Sequence, residues 1–379
     1  MEIYVVQEGD SVRSIAEAFE VEETVIETDN QLSFPYTLVP GQALLIDNGL
    51  GNRNVILRSS GYAYPYIAVE TLNNTLPYLS SVNVFSYGFD ETGALLPPAY
   101  DDSWIVIAGL EQATVSTLTL TPLNEEQQFD NEQISALVGN PEVQETLLNN
   151  LAVEMGAKGY VALNIDFEYV RAEDKELYTE FVRRATEFMH EYGYRVSVAL
   201  APKTSAEQPG LLYEGIDYAA LGEIADMVIL MTYEWGYTYG PPMAVAPINK
   251  VREVVEYAVS VIPPSKIMLG IPNYGYDWPL PYEEGVTAAE SIGNVEAMRR
   301  AIQNNVPIRF DETAQSPYYR YVAEEVEHEV WFEDVRSLQA KFDLIKEFEL
   351  RGATYWQLMQ WFRANWLLLE DNFFIIPGL

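Results

Sequence analysis

The chain has 379 residues, a formal net charge of −35, 48% apolar residues, no cysteine and two histidines. The lack of cysteine excludes disulfides, thiol nucleophiles and thiolate metal sites. Two histidines, His190 and His328, leave little for a Ser-His-Asp triad or a histidine-rich metal centre. The acidic balance argues against nucleic acid, whose binding rests on Lys and Arg at phosphates, and no run of 18 apolar residues offers a membrane span.

Met1-Glu2-Ile3-Tyr4 lacks the basic and apolar regions of a secretory signal, so the expectation is a chain used without one or a leader already removed. Residues 1–47 read as one small unit. Tyr4, Val5 and Val6 form a short strand, and Ser11 is a helix N-cap. Val12, Ile15, Ala16 and Phe19 then recur at helical spacing. A second helix fits Glu22 to Thr28, and Pro40-Gly41 turns into a strand over Ala43 to Ile46. The pieces Tyr4-Val5-Val6-Gln7-Glu8-Gly9-Asp10-Ser11, Ser14-Ile15-Ala16 and Leu38-Val39-Pro40-Gly41-Gln42-Ala43-Leu44 resemble a LysM domain. The resemblance implies a groove for N-acetylglucosamine polymers, with Gly9, Asp10, Ser11 and Val12 on one side and Leu38, Val39 and Pro40 opposite.

Residues 48–54, rich in Gly and Asn, read as a linker. Eight apolar runs follow: Val55–Leu57, Val82–Phe85, Ala113–Leu120, Val161–Phe167, Val196–Ala201, Met227–Met231, Ile267–Ile271 and Ala353–Leu358. Amphipathic stretches lie between several of them. One runs over 172–191, with Leu177, Phe181, Val182, Ala185, Phe188 and Met189 on one face, and another over 250–261. Eight strands alternating with helices predict an α/β fold, a (β/α)8 barrel over 55–379. The stretch 276–330 is too long for one connection and reads as a small α+β insertion after the seventh strand. Arg299 and Arg300 within it read as solvated.

The segment Val161-Ala162-Leu163-Asn164-Ile165-Asp166-Phe167-Glu168 alternates with period 2. Asn164, Asp166 and Glu168 share one face, and Leu163, Ile165 and Phe167 the other. In a barrel the apolar face packs on helices, so the acids look inward near the strand's C-terminal end, where barrel enzymes keep their chemistry. Two such acids stand about 6–7 Å apart along a strand. Like charge in a low-dielectric pocket raises one pKa and leaves a proton to donate to a leaving group.

This segment resembles the Asp-x-x-Asp-x-Asp-x-Glu signature of family 18 glycoside hydrolases, with Val161 and Asn164 at its first two acidic positions. Met231-Thr232-Tyr233-Glu234 is similar to the family's Met-x-Tyr-Asp. Gly270 to Trp278 is similar to its strand-seven motif, and Tyr355-Trp356-Gln357 to its strand-eight tryptophan. The resemblance implies a retaining mechanism in which the substrate's 2-acetamido oxygen attacks the anomeric carbon, with no metal or organic cofactor. Glu168 is then the acid/base, Asp166 orients the acetamide, Tyr233 hydrogen-bonds its oxygen and Trp356 floors the subsite. Asn164, Tyr274, Trp278, Glu234 and Met231 are candidate substrate contacts, and Tyr274 and Trp278 are equally readable as core. With the LysM module, these motifs are similar to the spore cortex-fragment hydrolases of endospore-forming bacteria. The expected partner is peptidoglycan or a chitin-type N-acetylglucosamine glycan, with neither nucleic acid nor membrane. The expected site of action is the bacterial spore or cell wall. A chitinase, or an inactive glycan-binding barrel, is the alternative.

Overall fold

The computed structural model describes residues 1–49, 51, 53–123 and 128–378, so residues 50 and 52 of the expected linker and residue 379 at the end of the expected barrel lie outside the described residues. The N-terminal unit is β1 (Glu2–Val5), α1 (Val12–Phe19), α2 (Glu23–Asp29) and β2 (Ala43–Ile46), with β1 and β2 antiparallel. Ser11 caps α1 in a reciprocal capping box with Ser14. All four residues of β2 are buried because both its faces are covered. Leu44 and Ile46 pack into the module's own core, whereas Ala43, Leu45 and the preceding Val39 join the barrel's core. A fully buried Leu contributes about 2 kcal/mol, so this docking face is an appreciable part of what holds the two units together.

Eight parallel strands close the barrel, and each is followed by a crossover segment. β3 (Val55–Ala63) leads to α3 (Val69–Thr75). β4 (Ser81–Phe89) leads through the short β5 (Leu95–Leu96) to α4 (Ser103–Glu111). β6 (Val115–Leu120) precedes α5 (Asn131–Val138) and α6 (Pro141–Lys158). β7 (Ala162–Ile165) precedes α7 (Lys175–Glu191), β8 (Arg195–Leu200) precedes α8 (Tyr218–Ile224), and β9 (Met227–Leu230) precedes α9 (Ile248–Val261). β10 (Ile267–Pro272) enters the inserted region. That region is β11 (Gly275–Pro279), β12 (Glu290–Ile292), α10 (Asn294–Gln303), β13 (Arg309–Asp311), β14 (Ser316–Ala323) and β15 (Val326–Trp331), a separate antiparallel sheet beside one helix. The chain returns through α11 (Val335–Glu347) to β16 (Gly352–Trp356), then α12 (Arg363–Asn372) and β17 (Phe373–Ile375). Pairing of β3 with both β16 and β4 closes the ring.

Each of the eight apolar runs lies on a barrel strand, with shifted ends. β3 continues to Ala63 through Ser59, Ser60 and Gly61: Ser60 faces the lumen and bonds Thr354 at 2.8 Å, and a strand with a polar inward position does not read as an apolar run. β7 stops at Ile165, earlier than its pattern indicated, although the Asp166 N–H still bonds the Leu120 carbonyl at 2.9 Å. On α7, Leu177 is exposed and Tyr178 takes the buried position. Arg300, expected to be solvated, is tied to Asp277, Glu290 and Glu296.

Candidate active site

The period-2 pattern of the acid segment survives in three dimensions. Leu163, Ile165 and Phe167 point outward into the strand–helix core, and the Phe167 ring stacks on Phe181 of α7 at 5.8 Å. Asn164 points inward: it donates to the Tyr62 hydroxyl at 3.0 Å and accepts from Ser197 Oγ at 2.9 Å. It is therefore a buried brace beneath the mouth and does not touch the cavity. Asp166 and Glu168 lie above it, just past the last ladder residue, and both line a cavity of about 510 Å³ at the strands' C-terminal ends. That volume is within the usual 300–1,000 Å³ of small-ligand sites.

Asp166 is 4% exposed, and its Oδ1 has no hydrogen-bond partner among the described residues. Burial, then the neighbouring Glu168 charge, raises its pKa well above the usual carboxylate range. Glu168 is pushed up to about 7, first by burial and then by the charge of Glu234. No cation stands in the cavity lining to offset either acid. A buried acceptor without a partner is costly, so the arrangement is complemented by a ligand that brings an N–H or O–H.

Tyr233, Met231, Glu234 and Trp356 line the same cavity. Tyr233 and Glu234 follow β9, and Glu234 sits at φ +67, a left-handed conformation that carries its carboxylate toward β11. There it accepts hydrogen bonds from the hydroxyls of Tyr274 and Tyr276, the latter at 3.0 Å. Trp356 ends β16 and meets Phe85 at 5.0 Å and Tyr64 at 6.2 Å, so the floor is a cluster of rings. A second hollow of about 170 Å³, walled by Pro202, Tyr213 and Trp235, shares Glu168, Met231, Tyr233 and Glu234 with the first.

Besides Asn164, two expected contacts fall elsewhere. Trp278 is 0% exposed and donates from Nε1 to the Gly240 carbonyl at 2.8 Å, so it is core behind the rim. Tyr274 is buried and acts through Glu234. In the N-terminal unit, Gly9 turns the chain at φ +89, Asp10 accepts from Tyr4 Oη and Gln7 N–H, both at 2.7 Å, and Ser11 is occupied as a cap. Val12 is buried in the module, Leu38 packs at its edge, and Val39 is buried against the barrel. The Pro40 carbonyl accepts from Ile308 N–H at 2.9 Å. Sequence reasoning missed Tyr64, Phe85, Phe129, Tyr169, Leu212 and Tyr237 in the cavity lining. Phe85 ended an expected apolar run and Tyr64 lies just past β3, so both were open to discovery; Leu212 and Tyr237 sit on loops whose path no local pattern encodes. Among the described residues there is no cluster of three or more potential metal ligands, and no helix is long and apolar enough to cross a membrane.

The closed parallel sheet and its mouth acids place the chain in a class, the (β/α)8 barrel hydrolases. The family follows from sequence: residues 126–360 match glycosyl hydrolases family 18, and the chain belongs to that family. Residues 4–47 match the LysM domain. The chain is 40% identical to the cortical fragment-lytic enzyme of Bacillus subtilis, over 99% of each. It is similar to the crystal structure of the spore cortex-lytic enzyme of Bacillus megaterium, at 39% identity and a TM-score of 0.82, covering 100% of this chain and 87% of that one. A chitinase structure from Chromobacterium violaceum, 21% identical with a TM-score of 0.76 over 83% of this chain and 98% of that one, shares the fold.

Proposed function

We propose that this protein cleaves N-acetylglucosaminyl linkages in peptidoglycan of the bacterial spore cortex or its fragments, by a retaining mechanism in which the substrate's own acetamide takes part. The observation that carries the mechanism is the partnerless Asp166 Oδ1, buried two residues from an acid raised to about 7. A 2-acetamido sugar seated on Trp356 supplies the missing donor through its amide N–H. Glu168, protonated, gives its proton to the glycosidic oxygen as the C1–O bond breaks. The acetamido oxygen bonds C1 in the same step and leaves a cyclic oxazolinium. Asp166 holds the amide nitrogen and offsets the positive charge, and the Tyr233 hydroxyl donates to the acetamido oxygen to keep it in line. Glu168, now a carboxylate, takes a proton from water as that water attacks C1 and the five-membered ring opens. Two displacements at one carbon retain its configuration. The names of the relatives support the cortex as the setting, and the LysM match supports attachment to wall glycan.

Mass spectrometry of products from spore-type peptidoglycan, vegetative peptidoglycan and chitin oligomers tests this reading. The expected products end in a reducing N-acetylglucosamine, and Glu168→Gln lowers their rate of release about a thousandfold. Cleavage confined to chitin sinks the substrate assignment. Unchanged release by Glu168→Gln sinks the mechanism.

A further inference from the structure

A second cavity of about 430 Å³ lies away from the barrel mouth and shares no lining residue with it. One wall is the 30–37 segment between α2 and β2, and the other is α10 of the inserted region. Phe34, Pro35, Met298 and Ile302 make it largely apolar. Phe34 is 84% exposed, the most open large apolar side chain among the described residues. Such a ring is expected to be covered when the protein works.

The polar groups of this cavity contrast with those of the groove expected in the N-terminal unit. In the expected groove, Asp10 is consumed by Tyr4 and Gln7, Ser11 by its helix cap, and the Pro40 carbonyl by Ile308. Gly41 lies so close to the inserted region that a Cβ there would meet the Ile308 carbonyl oxygen at 1.8 Å. That wall is therefore committed to docking on the barrel. In the cleft, by contrast, Gln42 is 1% exposed and its Nε2 has no hydrogen-bond partner. A buried amide donor left unmade marks a position where a polar ligand or a bridging water is missing.

The lining also selects the ligand. Its single charged residue is Arg299, whose guanidinium is already held by Glu296 at 2.6 and 2.7 Å. The cleft thus offers no free charge to an anion or a cation. Apolar faces suit the C–H face of a sugar ring, and an acetamide presents a carbonyl to an N–H such as that of Gln42.

We propose that this interdomain cleft is a second glycan site, binding a neutral N-acetylhexosamine segment while the barrel mouth holds another part of the wall polymer. The ligand class rests on the glycan-cleaving reading above. The site sits on both units at once, so it measures their docked geometry, and an occupied cleft fixes the direction in which glycan leaves the N-terminal unit.

Calorimetric titration of the full chain carrying Glu168→Gln with chitotetraose tests this without consuming the probe. Two binding events are expected. Adding Phe34→Ala, at a side chain too exposed to threaten folding, or Gln42→Leu weakens one event about tenfold or more and spares the other. A single event in the parent overturns the proposal. So do two events untouched by both cleft variants. The chain with Glu168 intact reports on the enzyme reading separately, through its turnover of chitotetraose. Absence of any glycan cleavage by that intact chain counts against the enzyme reading alone, because the titration still counts the sites.

Discussion

Asp166 at the barrel mouth and Asp277 in the inserted sheet are withdrawn from solvent to the same degree, 4% and 2% exposed. Their surroundings differ completely. Asp277 meets Arg300 Nη1 at 2.6 Å, the Tyr321 hydroxyl at 2.6 Å and His328 Nδ1 at 2.8 Å. Asp166 meets no cation, leaves one oxygen unpaired and faces Glu168, a second acid. A buried carboxylate surrounded by donors belongs to the architecture. One surrounded by like charge is unstable on its own terms and is kept for a ligand. The local patterns do not separate them: Asp277 lies between Tyr276 and Trp278 much as Asp166 lies between Ile165 and Phe167.

The comparison breaks most readily at Asp166. Asp166→Asn is expected to cut turnover about a hundredfold or more, while the melting temperature holds or rises because an acid whose ionised form is disfavoured by burial gives way to a neutral amide. A clear loss of thermal stability in that variant would show that Asp166 is structural after all. The opposite result is expected at the other site. Arg300→Met strips Asp277 of its cation and costs about 3 kcal/mol by denaturant unfolding, with turnover of soluble oligomers unchanged at temperatures where the variant stays folded.

The smallest effect concerns pH. Glu168 acts as an acid only when protonated, so turnover is sustained below its pKa of about 7 and falls as pH rises through it. The folded-state value is above the ordinary 4.5, so the folded state also favours the protonated form; the stability this contributes is complete below 4.5 and is lost as pH rises through about 7. Glu234 is the second cause of the shift, after burial. Glu234→Gln therefore moves the alkaline limb of the pH–rate profile to lower pH without abolishing it. A limb that stays in place or moves upward removes Glu234 from this role.

The strand pattern and the acid segment were legible because burial on one side leaves a period in the sequence: Leu163, Ile165 and Phe167 had to alternate with whatever faced the lumen. The same logic exposed the N-terminal helix through Val12, Ile15 and Ala16. It failed where a strand carries a polar residue inward, as at Ser60, and where a charge finds a distant partner, as Arg300 finds Asp277.

By itself the sequence determined the order of strands and helices, the two acids that share a face, and the small module in front, because each follows from neighbours a few residues apart. Only the tertiary structure decided that Asn164 braces the mouth from below, that Trp278 is core, and that Val39 and Pro40 are spent on docking while Gln42 is left without a partner. Those outcomes depend on contacts between segments tens to hundreds of residues apart. A side chain's partner there is set by how whole elements pack, which no local spacing records.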